Sequence, residues 1–260
     1  MTETVVLKKL DGAVLTVTIN RPDKLNALNQ AVFAELTGVF AQAASDDSVR
    51  CVVLTGAGDK AFVAGADIAE LRAMDSSQAG DAVKVARTLM RHMEQMGKPV
   101  IAAINGYALG GGCELALACT MRIASSKAII GLPEITLGLI PGYGGTQRLT
   151  RLTGRGRALH MMLTGKPADA QQALDWGIVT MVTEPGELEQ CVAKIARGLA
   201  ASAPLSMRSI IDVVNSGADR SLDEGLDLEE WAFTSLFDSH DMREGTAAFL
   251  EKRKPEFTGQ

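Results

Sequence analysis

Two carboxylates stand alone in long uncharged stretches of this chain, and that placement gives them chemistry. Glu114 is the only Asp, Glu, Lys or Arg between Pro99 and Met121, and Glu134 the only one between Ala128 and Gln147. A carboxyl group taken out of water is held in its neutral form. Two that share a site raise at least one pKa further, which is how a protein keeps a general acid protonated near neutrality beside an ionised base. Glu114 and Glu134 are therefore a candidate acid–base pair. Composition alone leaves other readings open: Glu114 falls in the first turn of an expected helix, where an acid complements the dipole, and Glu134 after Pro133 could be a solvated turn residue.

Glycine crowds around the same two residues. Residues 106–145 hold nine glycines, where 26 in 260 would place about four. Gly110-Gly111-Gly112 precedes the helix expected to contain Glu114, so a backbone N–H at its N-terminus is free to face an oxygen anion. A second N–H can come from the small-residue turn Ala64-Gly65-Ala66-Asp67. Two such donors would make an oxyanion hole. Tight helix–sheet packing would use the same small residues, so glycine content does not decide between the two.

The elements that must position these groups read as an α/β alternation. Residues 5–10 and 14–19 flank Asp11-Gly12 as a β-hairpin. Asn29 caps an expected helix to about Ala44, with Val32, Phe33, Leu36, Val39 and Phe40 on one face. Residues 50–55 read as a buried strand ending in Gly56-Ala57-Gly58. Helix is expected over 67–96 with a break at 76–80; Gly97-Lys98-Pro99 stops it before a strand at 100–104. Residues 105–112 are expected as loop, 113–120 as helix and 122–131 as a short strand pair. Beyond Thr146 the pattern is helical apart from one strand at 178–182, and Ala201-Ser202-Ala203-Pro204 marks a boundary before helices only. Strands alternating with helices imply a sheet whose active site lies in loops at strand ends.

Composition excludes several classes. With 26 Lys and Arg against 31 Asp and Glu, the chain lacks the basic excess of a dedicated nucleic-acid binder. Cys51, Cys113, Cys119 and Cys191 form no C-x-x-C pair and read as buried free thiols, and His92, His160 and His240 sit in no ligand-spaced motif, so no metal site is expected. No leader pattern opens the chain and no apolar run reaches transmembrane length, which implies a soluble, cytoplasmic protein without membrane association. Gly56-Ala-Gly-Asp-Lys-Ala61 has the spacing of a dinucleotide loop and fails on context: Asp59 would face the pyrophosphate and no helix follows.

Five stretches together resemble the enoyl-CoA hydratase (crotonase) family. They are Asn20-Arg-Pro-Asp-Lys-Leu-Asn-Ala27, Lys60-Ala-Phe-Val-Ala-Gly-Ala-Asp-Ile68, Asn105-Gly-Tyr-Ala-Leu-Gly-Gly-Gly-Cys-Glu-Leu-Ala116, the segment Pro133-Glu134 through Gly142-Tyr-Gly-Gly-Thr-Gln-Arg-Leu149, and Arg243-Glu-Gly-Thr-Ala-Ala-Phe-Leu-Glu-Lys-Arg-Lys254. They occur in the family's order and span the chain.

The resemblance implies a crotonase-like spiral of ββα units over residues 1–200 and a C-terminal helical region over 201–260 that builds trimers, usually paired into hexamers. It implies that the N–H groups of Ala66 and Gly111 hold a thioester oxygen, and that Glu114 as base and Glu134 as acid add water to a trans-2-enoyl-CoA. No cofactor is implied beyond the coenzyme A carried by the substrate, and fatty-acid β-oxidation is the associated metabolism. Lys24, Ala64, Asp67 and Ile68 would border the CoA moiety, with Asp67 expected as a structural partner of a backbone or basic group. Gly142 would line the acyl pocket, and Phe233, Phe249 and Lys252 would close the CoA site, some from a neighbouring subunit. Ala69 departs from the pattern, where many hydratases carry a lysine. An enoyl-CoA isomerase of the same fold, and a catalytically silent CoA-binding or scaffold protein, are the alternatives; keeping both glutamates and the glycines favours the hydratase.

Overall fold

The computed structural model describes residues 4–260. Met1, Thr2 and Glu3, on which the expectation about a leader pattern partly falls, lie outside them.

The opening hairpin forms from Val6–Asp11 (β1) and Val14–Ile19 (β2), antiparallel with Asp11 opposite Val14. Helix Gln30–Ser45 (α1) starts where Asn29 accepts a hydrogen bond from Val32 N at 3.0 Å, and it buries Val32, Phe33, Leu36, Val39 and Phe40. Strands then alternate between two sheets. Cys51–Gly56 (β3), Val100–Ile104 (β5) and Met121–Ser125 (β7) join the large sheet; Ala61–Val63 (β4), Tyr107–Leu109 (β6) and Ile129–Gly131 (β8) join the small one. Each pair is followed by helix: Ile68–Ala73 (α2) and Ser76–Gln95 (α3), then Gly111–Leu117 (α4), then Gly145–Thr164 (α5). The chain is thus a spiral of ββα turns.

Ala168–Asp169 (β9), Ala170–Asp175 (α6) and Met181–Thr183 (β10) complete the sheets, giving the orders β1-β2-β3-β5-β7-β10 and β4-β6-β8-β9. From β2 to β10 the large sheet is parallel, and β5 is buried along its whole length, as a parallel sheet covered on both faces requires. One face packs against α1, α3 and α4 in the main core; the other buries Val53, Ile101 and Ile123 under Leu188, Val192 and Ala196 of helix Leu188–Ala200 (α7). Three helices end the fold: Pro204–Gly217 (α8), Leu222–Ser235 (α9) and His240–Glu251 (α10).

The structure corrects several expected boundaries. The helix break falls at Met74 and Asp75, because Asp75 and Gln78 form a reciprocal capping box that starts α3 at Ser76 despite the weak helix formers there. Residues 105–112 are not all loop: Tyr107–Leu109 pairs with β4 and β8, and α4 begins at Gly111 rather than Cys113. The strands within 122–131 do not pair with each other; the chain crosses from one sheet to the other at Ser126 and Lys127. The late strand starts at Met181, since the N–H groups of Ile178 and Val179 turn back to Ala173 O behind α6. Cys191 is half-buried, unlike the other three thiols.

Gly112 shows how tightly α4 is seated: a Cβ there would collide with the carbonyl oxygen of Val63 on β4. Gly112→Ala is expected to destabilise the fold by about 3 kcal/mol through that overlap. Thermal unfolding measures this, and an unchanged midpoint would contradict the packing.

Candidate active site

Glu114 sits in the first turn of α4, yet its side chain is only 1% exposed and turns toward α5. Its Oε1 accepts hydrogen bonds from Tyr143 N and Gly145 N, each at 2.7 Å. Gly145 is the first residue of α5, so this N–H is one that the helix cannot pair internally and carries the positive end of its dipole. A Cβ at Gly145 would come within 3.0 Å of Glu114 Cγ and Oε1, so the close approach requires glycine. Burial pushes the Glu114 carboxyl up to about 7; the Gly145 hydrogen bond opposes the rise, the nearby Glu134 carboxylate adds to it, and the Tyr143 hydrogen bond and Arg148 oppose it.

Glu134 opens a short 3-10 helix, Glu134–Leu137, just beyond β8. It is not a solvated turn residue: both carboxylate oxygens are buried and find no partner among the described residues. Oε1 lies against Gly110, where a Cβ would stand 3.3 Å away. Burial raises the Glu134 pKa as well. The two carboxylates therefore differ in kind. Glu114 has two N–H donors from other residues that favour its anion, whereas the rise at Glu134 is opposed only by a weak contact from its own backbone N–H.

Two free N–H groups lie beside them. Leu28 and Ala66 form a parallel bridge in which Leu28 N donates to Gly65 O and Asp67 N donates to Leu28 O. Those bonds use the peptide groups flanking Ala66, so its own N–H points away from the bridge. Gly111 N is the unpaired first donor of α4, following Gly110 at φ 52°, a left-handed backbone that glycine takes without strain. Neither N–H donates to a protein oxygen among the described residues. The two turns meet: a Cβ on Gly110 would be 3.8 Å from Gly65 Cα. Pairing of β4 with β6 sets this spacing.

The other expected contacts divide into two groups. Lys24 is exposed on the turn Pro22–Lys24, which Ala64 N ties to the site by donating to Leu25 O at 3.0 Å. Asp67 caps α2 and pairs with Arg21 Nη2 at 3.0 Å, and that guanidinium holds its carboxyl below the usual range, so it acts as a structural partner. Ile68 is exposed beside it, and Gly142 faces Val83 of α3. Phe233, Phe249 and Lys252 are not brought to the glutamates: they are exposed on α9 and at the end of α10, with Phe233 edge-on to Phe237.

Beside Ala66 a partly open recess of about 20 Å³ is lined by Leu28, Phe33, Leu71, Met74, Tyr143 and, at its polar rim, Glu70. A much larger cleft, about 880 Å³, lies on the outer face of the large sheet beside α7 and contains neither glutamate. The glutamates make the candidate site, because desolvated carboxylates beside free N–H donors can carry acid–base chemistry and volume alone cannot.

Sequence reasoning missed Tyr143 and Gly145, whose N–H groups hold Glu114. The available signal was Gly144-Gly145 opening an amphipathic helix after an uncharged loop, the same signal that singled out Gly110–Gly112.

The family model for enoyl-CoA hydratase/isomerase matches residues 9–260. A short-chain-enoyl-CoA hydratase of Clostridium acetobutylicum is 44% identical over 252 residues, covering 97% of this chain and 96% of the relative. A crotonyl-CoA hydratase of Syntrophomonas wolfei is 41% identical, with 98% of each chain covered. The crystal structure of an enoyl-CoA hydratase from Bacillus anthracis superposes with a TM-score of 0.96 at 41% identity, covering 98% of this chain and 100% of that one.

Between the ordinary carboxylate pKa and about 7, folded Glu114 keeps a proton that the unfolded chain has released, so its contribution to stability is lost as pH rises through that window. Glu114→Gln is therefore expected to melt above the wild type at pH 8, by at most about 3 kcal/mol, with the gap closing toward pH 5. A gap of equal size at both pH values would contradict the desolvated carboxylate.

Proposed function

The chain belongs to the enoyl-CoA hydratase/isomerase family, and on that premise we propose that it adds water reversibly across the trans-2 double bond of a short-chain enoyl-CoA thioester, giving the 3-hydroxyacyl-CoA. The observation that carries this reading is the pair of buried glutamates, one with two N–H donors and one with no hydrogen-bond donor from another described residue. Negative charge develops on the thioester oxygen as the enolate forms, and the N–H groups of Ala66 and Gly111 stabilise it there without a metal or organic cofactor. Ionised Glu114 takes a proton from the water whose oxygen bonds to the β-carbon, while protonated Glu134 supplies the proton that reaches the α-carbon; exchange with solvent then removes the proton from Glu114 and returns one to Glu134. Isomerisation within the same fold shuttles one proton and can use one carboxylate; a second desolvated carboxylate favours hydration.

Phe33, Leu71, Met74 and Tyr143 give the recess beside Ala66 apolar walls that suit an acyl chain. The choice of a short chain rests on the two relatives named for short-chain and crotonyl substrates. Lys24 and the exposed backbone from Ala64 to Ile68 would border the CoA, and a 3-hydroxyacyl product suits fatty-acid β-oxidation in the cytoplasm. No helix among the described residues is long and apolar enough to cross a membrane.

The reading treats residues 201–260 as an oligomerisation region. Trp231 (71% exposed), Phe249 (82%) and Leu250 (81%) expose more apolar surface than a monomer ordinarily leaves in water, which supports a trimer or a hexamer made of two trimers. In that assembly Phe233, Phe249 and Lys252 would serve a neighbouring subunit's CoA site.

The expected result with crotonyl-CoA is loss of its enoyl-thioester absorbance, with rates falling as acyl length grows. Glu114→Gln and Glu134→Gln should each slow turnover by about 10²–10⁴-fold with KM little changed; near-normal turnover in either variant would contradict the assignment. Sedimentation of Phe249→Asp should show smaller species than the wild type, and a monomeric wild type would remove the oligomer from the reading.

A further inference from the structure

We propose that Arg148 is a positioning residue for this reaction: its guanidinium ties the 143–145 turn, and through it the Glu114 carboxylate, to Glu94 on α3. The inference rests on the hydratase reading and assigns a role to an ion pair that the reading does not use.

Arg148 lies on the first turns of α5 and grips Glu94 with a two-pronged contact, Nε to Oε1 at 2.5 Å and Nη2 to Oε2 at 2.8 Å. The pair is largely shielded, with side chains 17% and 31% exposed. The remaining prong, Nη1, donates to Tyr143 O at 3.0 Å. Tyr143 thus accepts from Arg148 through its carbonyl and donates to Glu114 through its N–H. Gly144 makes the path possible: it takes φ 109°, and a Cβ there would collide with Arg148 Nη1. The chain of contacts runs further, since Asn215 Nδ2 on α8 donates to Glu94 O at 2.9 Å.

A two-pronged arginine contact fixes direction as well as distance, which a lysine cannot reproduce at two partners at once. The turn it fixes holds the donors that favour the Glu114 anion against burial, and a small loosening of donors at a buried carboxylate weakens its anion directly. The charged and titratable groups around Glu114 are Glu134 from the 134–137 turn, Arg148 from α5, and Cys113 and Tyr143 beside it. Glu94 faces Arg148 and neutralises much of its charge, so position carries more of the effect than charge.

The test compares Arg148→Gln, Arg148→Lys and Glu94→Gln with the wild type, reading kcat and KM for crotonyl-CoA. It also follows the infrared carboxylate band of Glu114, identified by its loss in Glu114→Gln, as a function of pH. Arg148→Gln and Glu94→Gln should each lower kcat by about tenfold to a hundredfold with KM within about threefold. In Arg148→Gln the Glu114 band should titrate at higher pH than in the wild type, and Arg148→Lys should stay nearer that variant than the wild type in rate. The role is overturned if kcat and the Glu114 titration are unchanged in Arg148→Gln, if only the melting temperature moves, or if lysine restores the full rate. Glu94→Gln, which keeps the side-chain shape, gives the answer where Arg148→Gln does not fold: a lowered kcat supports the role and an unchanged one overturns it. A wild type that does not hydrate crotonyl-CoA would count against the hydratase reading, while the Glu114 titration would still decide the role of Arg148.

Discussion

The two hydrogen bonds that Glu114 accepts from Tyr143 and Gly145 are the constraint on which the site depends. They require the N-termini of α4 and α5 to face each other at the range of one side chain. A carboxylate this deeply buried would otherwise be held neutral and useless as a base. The two donors and the start of α5 oppose that cost, leaving Glu114 near the point where it can take a proton at neutral pH. Glu134 has no comparable donors from other residues, and in the proposed hydration that contrast lets one give while the other takes.

The spiral explains how these groups meet. Each turn contributes one strand to each sheet and then a helix, so successive strand ends and helix starts of the small sheet stack beside each other. Pairing of β4 with β6 places the Ala66 turn against Gly110 and Gly111; pairing of β6 with β8 places Gly110 against Glu134. The site is left with buried oxygens and N–H groups that the fold does not satisfy, a pattern expected where stability is given up for chemistry.

Much of this was legible in the sequence because its signals are local. Asn29 as a cap, Asp11-Gly12 as a turn, the apolar run 100–104 and the helical face of α1 each depend on neighbours a few residues away. Glu114 and Glu134 stood out because nothing charged surrounds them. What the sequence hid depends on distant partners. The turn at 126–127 hands the chain from one sheet to the other, which no short-range pattern encodes. Residues 178–179 are as apolar as a strand and are held instead by α6. Arg148 reads as one more charge on a helix until Glu94, on α3, closes on it. The exposed aromatics of α9 and α10 looked equally like core, and only their burial in the folded chain separates them.

The central claim is that two carboxylates of unequal protonation direct the hydroxyl of a water to the β-carbon and a proton to the α-carbon. Its most direct measurement is the product formed from crotonyl-CoA in D₂O enriched in ¹⁸O, read by mass spectrometry and proton NMR. The account predicts a 3-hydroxyacyl-CoA with ¹⁸O at the β-carbon and one deuterium at the α-carbon. Deuterium in the recovered enoyl-CoA with no oxygen added at the β-carbon would contradict it and leave proton shuttling as the chemistry of the site.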